Sequence, residues 1–110
     1  MKSLLMVYCT CPNHDVATKM AEDIVDAGLA ACINIVPGLT SIYRWQGKRQ
    51  QGSEELLLIK TTLESYPALQ QFIVDSHPYE LPELIAVPIN TGLPAYLDWL
   101  RESCTVSPHG

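Results

Sequence analysis

A chain of 110 residues has room for one domain and a modest core. Its 47% hydrophobic content excludes general disorder, and a net charge of -5 argues against nucleic acid or an anionic membrane surface as a partner, because both need clustered Lys and Arg. The apolar run after Lys2 is too short for a signal peptide with its cleavage site, and nothing approaches the roughly 18 apolar residues of a membrane span, so a cytoplasmic protein is expected.

Leu4 to Cys9 reads as a first strand, ended by Pro12, with Asn13 placed to cap a helix. Val16, Ala17, Met20, Ala21, Ile24 and Val25 recur at helical spacing, and Gly28 supplies the stop. A second strand runs from Leu29 to Val36, must bend or bulge at Pro37-Gly38, and resumes over Ser41 to Trp45. Gln46 to Gly52 is polar and reads as a hairpin tip, with Lys48 and Arg49 as solvated charges. Glu54 to Thr61 forms a third strand, and Ser65 with Pro67 opens a second helix with Leu69, Phe72 and Ile73 on one face. His77-Pro78 ends that helix, since the residue before proline is pushed out of helical space. A loop over Pro78 to Glu83 leads into a fourth strand, Leu84 to Ile89, and a third helix starts at Pro94 and buries Tyr96, Leu97 and Leu100. The domain is placed at 1–104, with 105–110 as a flexible tail.

The order strand, helix, strand, strand, helix, strand, helix is the α+β ferredoxin-like βαββαβ plan with an extra C-terminal helix. Right-handed crossovers put the second and fourth strands at the edges. The prolines agree, because Pro37 and Pro88 fall in those two strands and proline is tolerated at edges and bulges.

The strands lack the alternation of a sheet with one wet face, so both faces need cover, yet the helices suffice for one side. About ten apolar side chains, Leu5, Val7, Leu57, Ile59, Ile85 and Val87 or their alternates among them, would line the open face. At about 1.5 to 3 kcal/mol each, leaving them wet would cost as much as the whole net stability of a domain, about 5 to 15 kcal/mol. Self-association is expected.

The runs Leu29 to Gly38, Ser41 to Gly47, Glu54 with Leu57 to Thr61, His77-Pro78-Tyr79, Pro82-Glu83 and Tyr96 to Trp99 resemble, in order and spacing, the CutA family of divalent-cation tolerance proteins, CutA1-like. The resemblance covers residues 4 to 103. It implies a cytoplasmic homotrimer of ferredoxin-like chains, built like the PII signalling trimers, non-enzymatic, with copper (Cu2+) binding and a part in the response to metal ions. It also implies metal ligands at Cys9 and His77. Ser76 stands where the family pattern has a further histidine, which removes one imidazole donor.

Read on their own chemistry, Cys9, Cys11 and His14 form Cys-x-Cys-x-x-His, a soft donor set suited to copper or zinc. The plainer reading, which is favoured, has Cys9 buried and Cys11 and His14 on a surface turn. Cys9, Cys32 and Cys104 fall in apolar stretches and read as reduced, packed thiols. His77 at a helix end either caps it or ligates. A ligand pocket at a subunit seam is drawn from Tyr43, Trp45, Lys60, Tyr79 and Glu83. Lys60, at the end of an apolar strand, needs a partner such as Glu83 or Glu54. A signalling or scaffold trimer that binds a small ligand in that seam is the alternative function. No activated nucleophile or phosphate loop accompanies these residues, so no enzyme is expected.

Overall fold

The computed structural model describes residues 2–105. Its elements are β1 (Leu4–Cys11), α1 (His14–Asp26), β2 (Cys32–Trp45), β3 (Lys48–Thr62), α2 (Tyr66–Ser76), β4 (Leu84–Pro88) and α3 (Pro94–Ser103). The strands form one antiparallel sheet in the order β2-β3-β1-β4, which puts the two proline-bearing strands at its edges. Proline lacks the N–H that a second neighbour would require.

Local chemistry sets the breaks between elements. Asn13 accepts the Val16 amide at 2.9 Å and so starts α1. Gly28, at φ +73°, ends it, and a Cβ there would run into the Thr105 hydroxyl. The β2–β3 register shifts between Val36 and Leu39, the expected bulge at Pro37-Gly38.

The hairpin tip is shorter than the polar sequence suggested. Gln46 and Gly47, both at positive φ, make the whole turn, and Lys48 to Ser53 stay paired with β2. Ladder bonds are made by the main chain, so polar side chains do not interrupt a hairpin arm that is wet on both faces. The start of β2 also moves, to Cys32, because Leu29 to Ala31 serve as a connector, with Leu29 and Ala30 buried, to whose Leu29 carbonyl Thr61 Oγ1 donates at 2.7 Å.

One face of the sheet is roofed by α1 and α2, where Leu5, Val7, Leu57 and Ile59 pack with Met20, Ile24, Leu69 and Ile73. Those four strand residues are therefore the covered set. Their alternates, Met6, Tyr8, Leu56 and Leu58, share the opposite face with Ile85 and Val87. That face is only partly covered, since α3 packs on β3 and β1 while Ile85 and Val87 remain 56% and 42% exposed. Leu100 is buried as expected, but Tyr96 and Trp99 stack on each other at 5.6 Å and face outward. They are 40% and 45% exposed, although Tyr96 still reaches the Cys32 thiol at the start of β2. Thr105, expected in the tail, donates its amide to the Gly28 carbonyl at 3.1 Å. Residues 106–110 of that tail lie outside the described residues.

Candidate metal centre and adjoining groove

Residues two apart on a strand share a face, and Cys9 and Cys11 both point into the helix-covered side of β1, fully buried. Pro12 comes one residue too late to turn Cys11 outward. Its backbone still pairs with Glu55. The favoured placement of Cys11 on a surface turn is thus corrected.

The end of α2 brings His77 to the same spot. Its ring, 8% exposed, offers a nitrogen that lies with the Cys9 and Cys11 sulfurs inside a 4.8 Å cluster. Cys9 and His77 therefore converge, and Cys11 joins them in place of His14. On the first turn of α1, His14 faces β3 and gives a hydrogen bond to Glu55 at 2.8 Å. That carboxylate holds the His14 imidazole above its usual range.

The two thiols influence each other. Their mutual hydrogen bond, then burial, pushes Cys9 far up, while the same hydrogen bond draws Cys11 down. Such a pair releases one proton readily and resists releasing the second. Glu83 and Glu54 add to the upward push on Cys9.

The His77 ring is held at both nitrogens. Nδ1 accepts the Tyr79 amide at 3.1 Å, which leaves Nε2 to donate to the Thr10 carbonyl at 2.8 Å. Tyr79 lies against the imidazole with ring centroids 4.7 Å apart and donates its hydroxyl to Glu54 at 2.8 Å. Burial, then that hydrogen bond, raises the Tyr79 phenol well above its ordinary value.

Beyond Tyr79 lies a groove of about 700 Å³ between the hairpin arm and the 78–83 loop, lined by Tyr43, Trp45, Glu54, Tyr79 and Glu83 with Thr10 at its base. It gathers four of the five pocket residues named from the sequence. Lys60 is not among them. It lies six residues along β3 from Glu54, about 20 Å at the rise of a strand, and its ammonium hydrogen-bonds the Asn34 side chain and approaches Cys32 Sγ at 4.0 Å. The expected Glu54 or Glu83 partner is thus replaced by a neutral amide across the β2–β3 ladder. Glu54 is committed to Tyr79 instead.

Sequence reasoning underrated Cys11, although the two-residue spacing on a strand was the signal for it. Thr10 contributes through its main chain, which no side-chain pattern announces.

Among the described residues no helix is long and apolar enough to cross a membrane. The sequence profile of the family described as CutA1 divalent ion tolerance protein matches residues 5–103. The divalent-cation tolerance protein CutA of Thermus thermophilus is 51% identical over 98 residues, 89% of this chain and 95% of that protein. The mouse protein CutA is 45% identical over 100 residues, 91% of this chain but 56% of its own, so the chain spans just over half of that relative. A chloroplastic CutA of Arabidopsis thaliana is 48% identical over 99 residues, 90% of this chain and 54% of its own. Among solved structures, the divalent cation tolerance protein of Thermus thermophilus superposes with a TM-score of 0.91 at 49% identity, covering 93% of this chain and 99% of that one. CutA1 from Oryza sativa does so at 0.93 and 43% identity, covering 96% and 97%. With the fold and nearly the whole length in agreement, this chain belongs to the CutA1 family of divalent ion tolerance proteins.

Proposed function

We propose that this chain is a non-enzymatic, cytoplasmic, homotrimeric divalent-cation tolerance protein that binds copper or a similar divalent ion through Cys9, Cys11 and His77. The observation that carries the reading is the convergence of two thiols and an imidazole within 4.8 Å in a buried site. Those are the donor types that suit copper and zinc. Bound there, the ion would be held by this chain's own sulfurs and ring nitrogen, and uptake requires His77 to give up one of its two hydrogen bonds. The half-covered sheet face supports self-association, since among the described residues nothing covers Ile85 and Val87 fully, and family membership supports three copies. Family membership supports the part in metal tolerance.

Calorimetric titration of the purified protein with copper and zinc tests it. Binding at micromolar metal is expected, and Cys9→Ser and His77→Ala should each weaken it at least ten-fold. A parent protein that takes up neither metal at that concentration overturns the proposal.

The groove favours a second reading, a signalling trimer that binds a small ligand beside Tyr43, Trp45, Tyr79 and Glu83. A ligand selective for the folded state raises the melting temperature. Tyr43→Ala should abolish such a shift, whereas Lys60→Ala should leave it intact because Lys60 lies elsewhere on the sheet.

A further inference from the structure

A third buried sulfur adjoins the thiols. Met20 on α1 is 4% exposed, and its Sδ lies 3.9 Å from Cys11 Sγ. Two sulfurs held at about 2.3 Å from one ion in a tetrahedron stand about 3.8 Å apart. The Cys11–Met20 pair therefore already has the spacing of two donors on one ion. Cys9, Cys11 and His77 lie within 4.8 Å of one another, so drawing them onto the same ion takes a movement of about 1 Å.

We propose that Met20 is the fourth donor of a site with Cys9, Cys11 and His77, and that this set of three sulfurs and one nitrogen selects monovalent copper. The inference rests on the metal-binding reading above for three of its donors and differs from it in the charge of the ion. A thioether is a soft, neutral donor that adds little for harder ions, whereas thiolate and thioether together suit monovalent copper. The ion arrives already monovalent and no electron moves. Two S–H bonds break, two copper–thiolate bonds form, and two protons leave to solvent.

Position makes Met20 the point of access as well. It is the one donor of the four on the wall of the groove of about 480 Å³ between α1 and α2, beside Phe72, Ser76 and Pro78. Asp15, Lys19 and Asp23 stand at that groove; Asp23 is paired with the Lys19 ammonium at 3.0 Å, so the carboxylate that favours a cation there is Asp15. An ion entering by this route meets the thioether before the thiols.

The test uses Met20→Leu, a swap close in volume that leaves the core packed. Reduced protein is titrated anaerobically with monovalent copper against a competing chelator, and separately with zinc. Copper affinity should fall about ten-fold and zinc affinity by less than about two-fold. X-ray absorption at the copper edge should count three sulfurs in the parent and two in the variant. Should Met20→Leu fold poorly, selenomethionine-labelled parent protein gives the same answer, because a copper–selenium contact is expected at the selenium edge. Parent-like copper affinity and sulfur count in Met20→Leu, an equal loss for zinc, or no copper–selenium contact would overturn the inference alone. A parent that binds neither metal overturns it together with the broader reading.

Discussion

Nε2 of His77 donates to the main-chain carbonyl of Thr10 at 2.8 Å, which fastens the end of α2 to the strand residue standing between the two thiols. The same ring receives the Tyr79 amide, so the imidazole joins β1 to the loop that borders the groove. His77 is therefore structural before it is a ligand. An ion that takes either nitrogen frees either the Thr10 carbonyl or the Tyr79 amide, and both residues line the groove.

Replacing His77 by Ala should destabilise the protein even without metal, by about 1 to 3 kcal/mol, because a buried carbonyl and an amide lose their partner together. Urea denaturation in the presence of a chelator measures it. Ser76→Ala, at an exposed neighbouring position, should cost almost nothing. Equal stabilities for the two variants would show that the ring is not holding the loop.

His14 and Glu55 give a pH signature. The folded pKa of His14 is raised by the Glu55 carboxylate, so the contribution of this pair is fully present below about pH 6.5, the unfolded value, and is lost as pH rises through the folded value. The imidazole is exposed, so the effect on stability is small, but NMR reads the titration directly. His14 should titrate above the ordinary histidine range and return to it in Glu55→Gln. An unmoved titration in that variant would remove the pairing.

Much of this was legible in the sequence because strand faces and proline rules are local. Right-handed crossovers placed β2 and β4 at the edges, Pro37 and Pro88 agreed, and four unalternating strands announced a sheet needing cover on both sides. The convergence of Cys9 with His77, 67 residues apart from the Thr10 carbonyl it grips, came instead from resemblance, since no spacing rule joins a strand to a distant helix end. Lys60 was misplaced for the same reason. Burial logic correctly demanded a partner, but which one depended on the β2–β3 register, where Cys32 pairs with Lys60 and Asn34 follows two residues on. Cys11 was misjudged because Pro12 was credited with ending the strand early, whereas His14 is exposed, as the favoured reading had it.

Tyr79 should be a late-titrating tyrosine. Burial and its hydrogen bond to Glu54 keep the phenol protonated beyond its ordinary value, so folded stability should decline as pH rises from about 10, the unfolded value, through the higher folded one. Ultraviolet absorbance followed against pH should show a delayed step that disappears in Tyr79→Phe. The same variant should lose about 0.5 to 1.5 kcal/mol at neutral pH, the net value of a typical hydrogen bond. A titration curve identical to the parent would mean that Glu54 does not hold the hydroxyl.

The open sheet face gives the last prediction. Ile85 is 56% exposed on edge strand β4, so within one chain Ile85→Asp disturbs little packing, whereas in a trimer that buries this face it places a charge in an apolar seam. Sedimentation of the parent at micromolar concentration should give one species of three chains, and the variant should shift toward single chains with a lower melting temperature. Val74→Asp serves as the control, because Val74 is 53% exposed on α2, on the other side of the sheet from the open face, and should leave assembly unchanged. A parent that sediments as a folded single chain would leave Ile85 and Val87 wet, and the seam beside the groove would have no second wall.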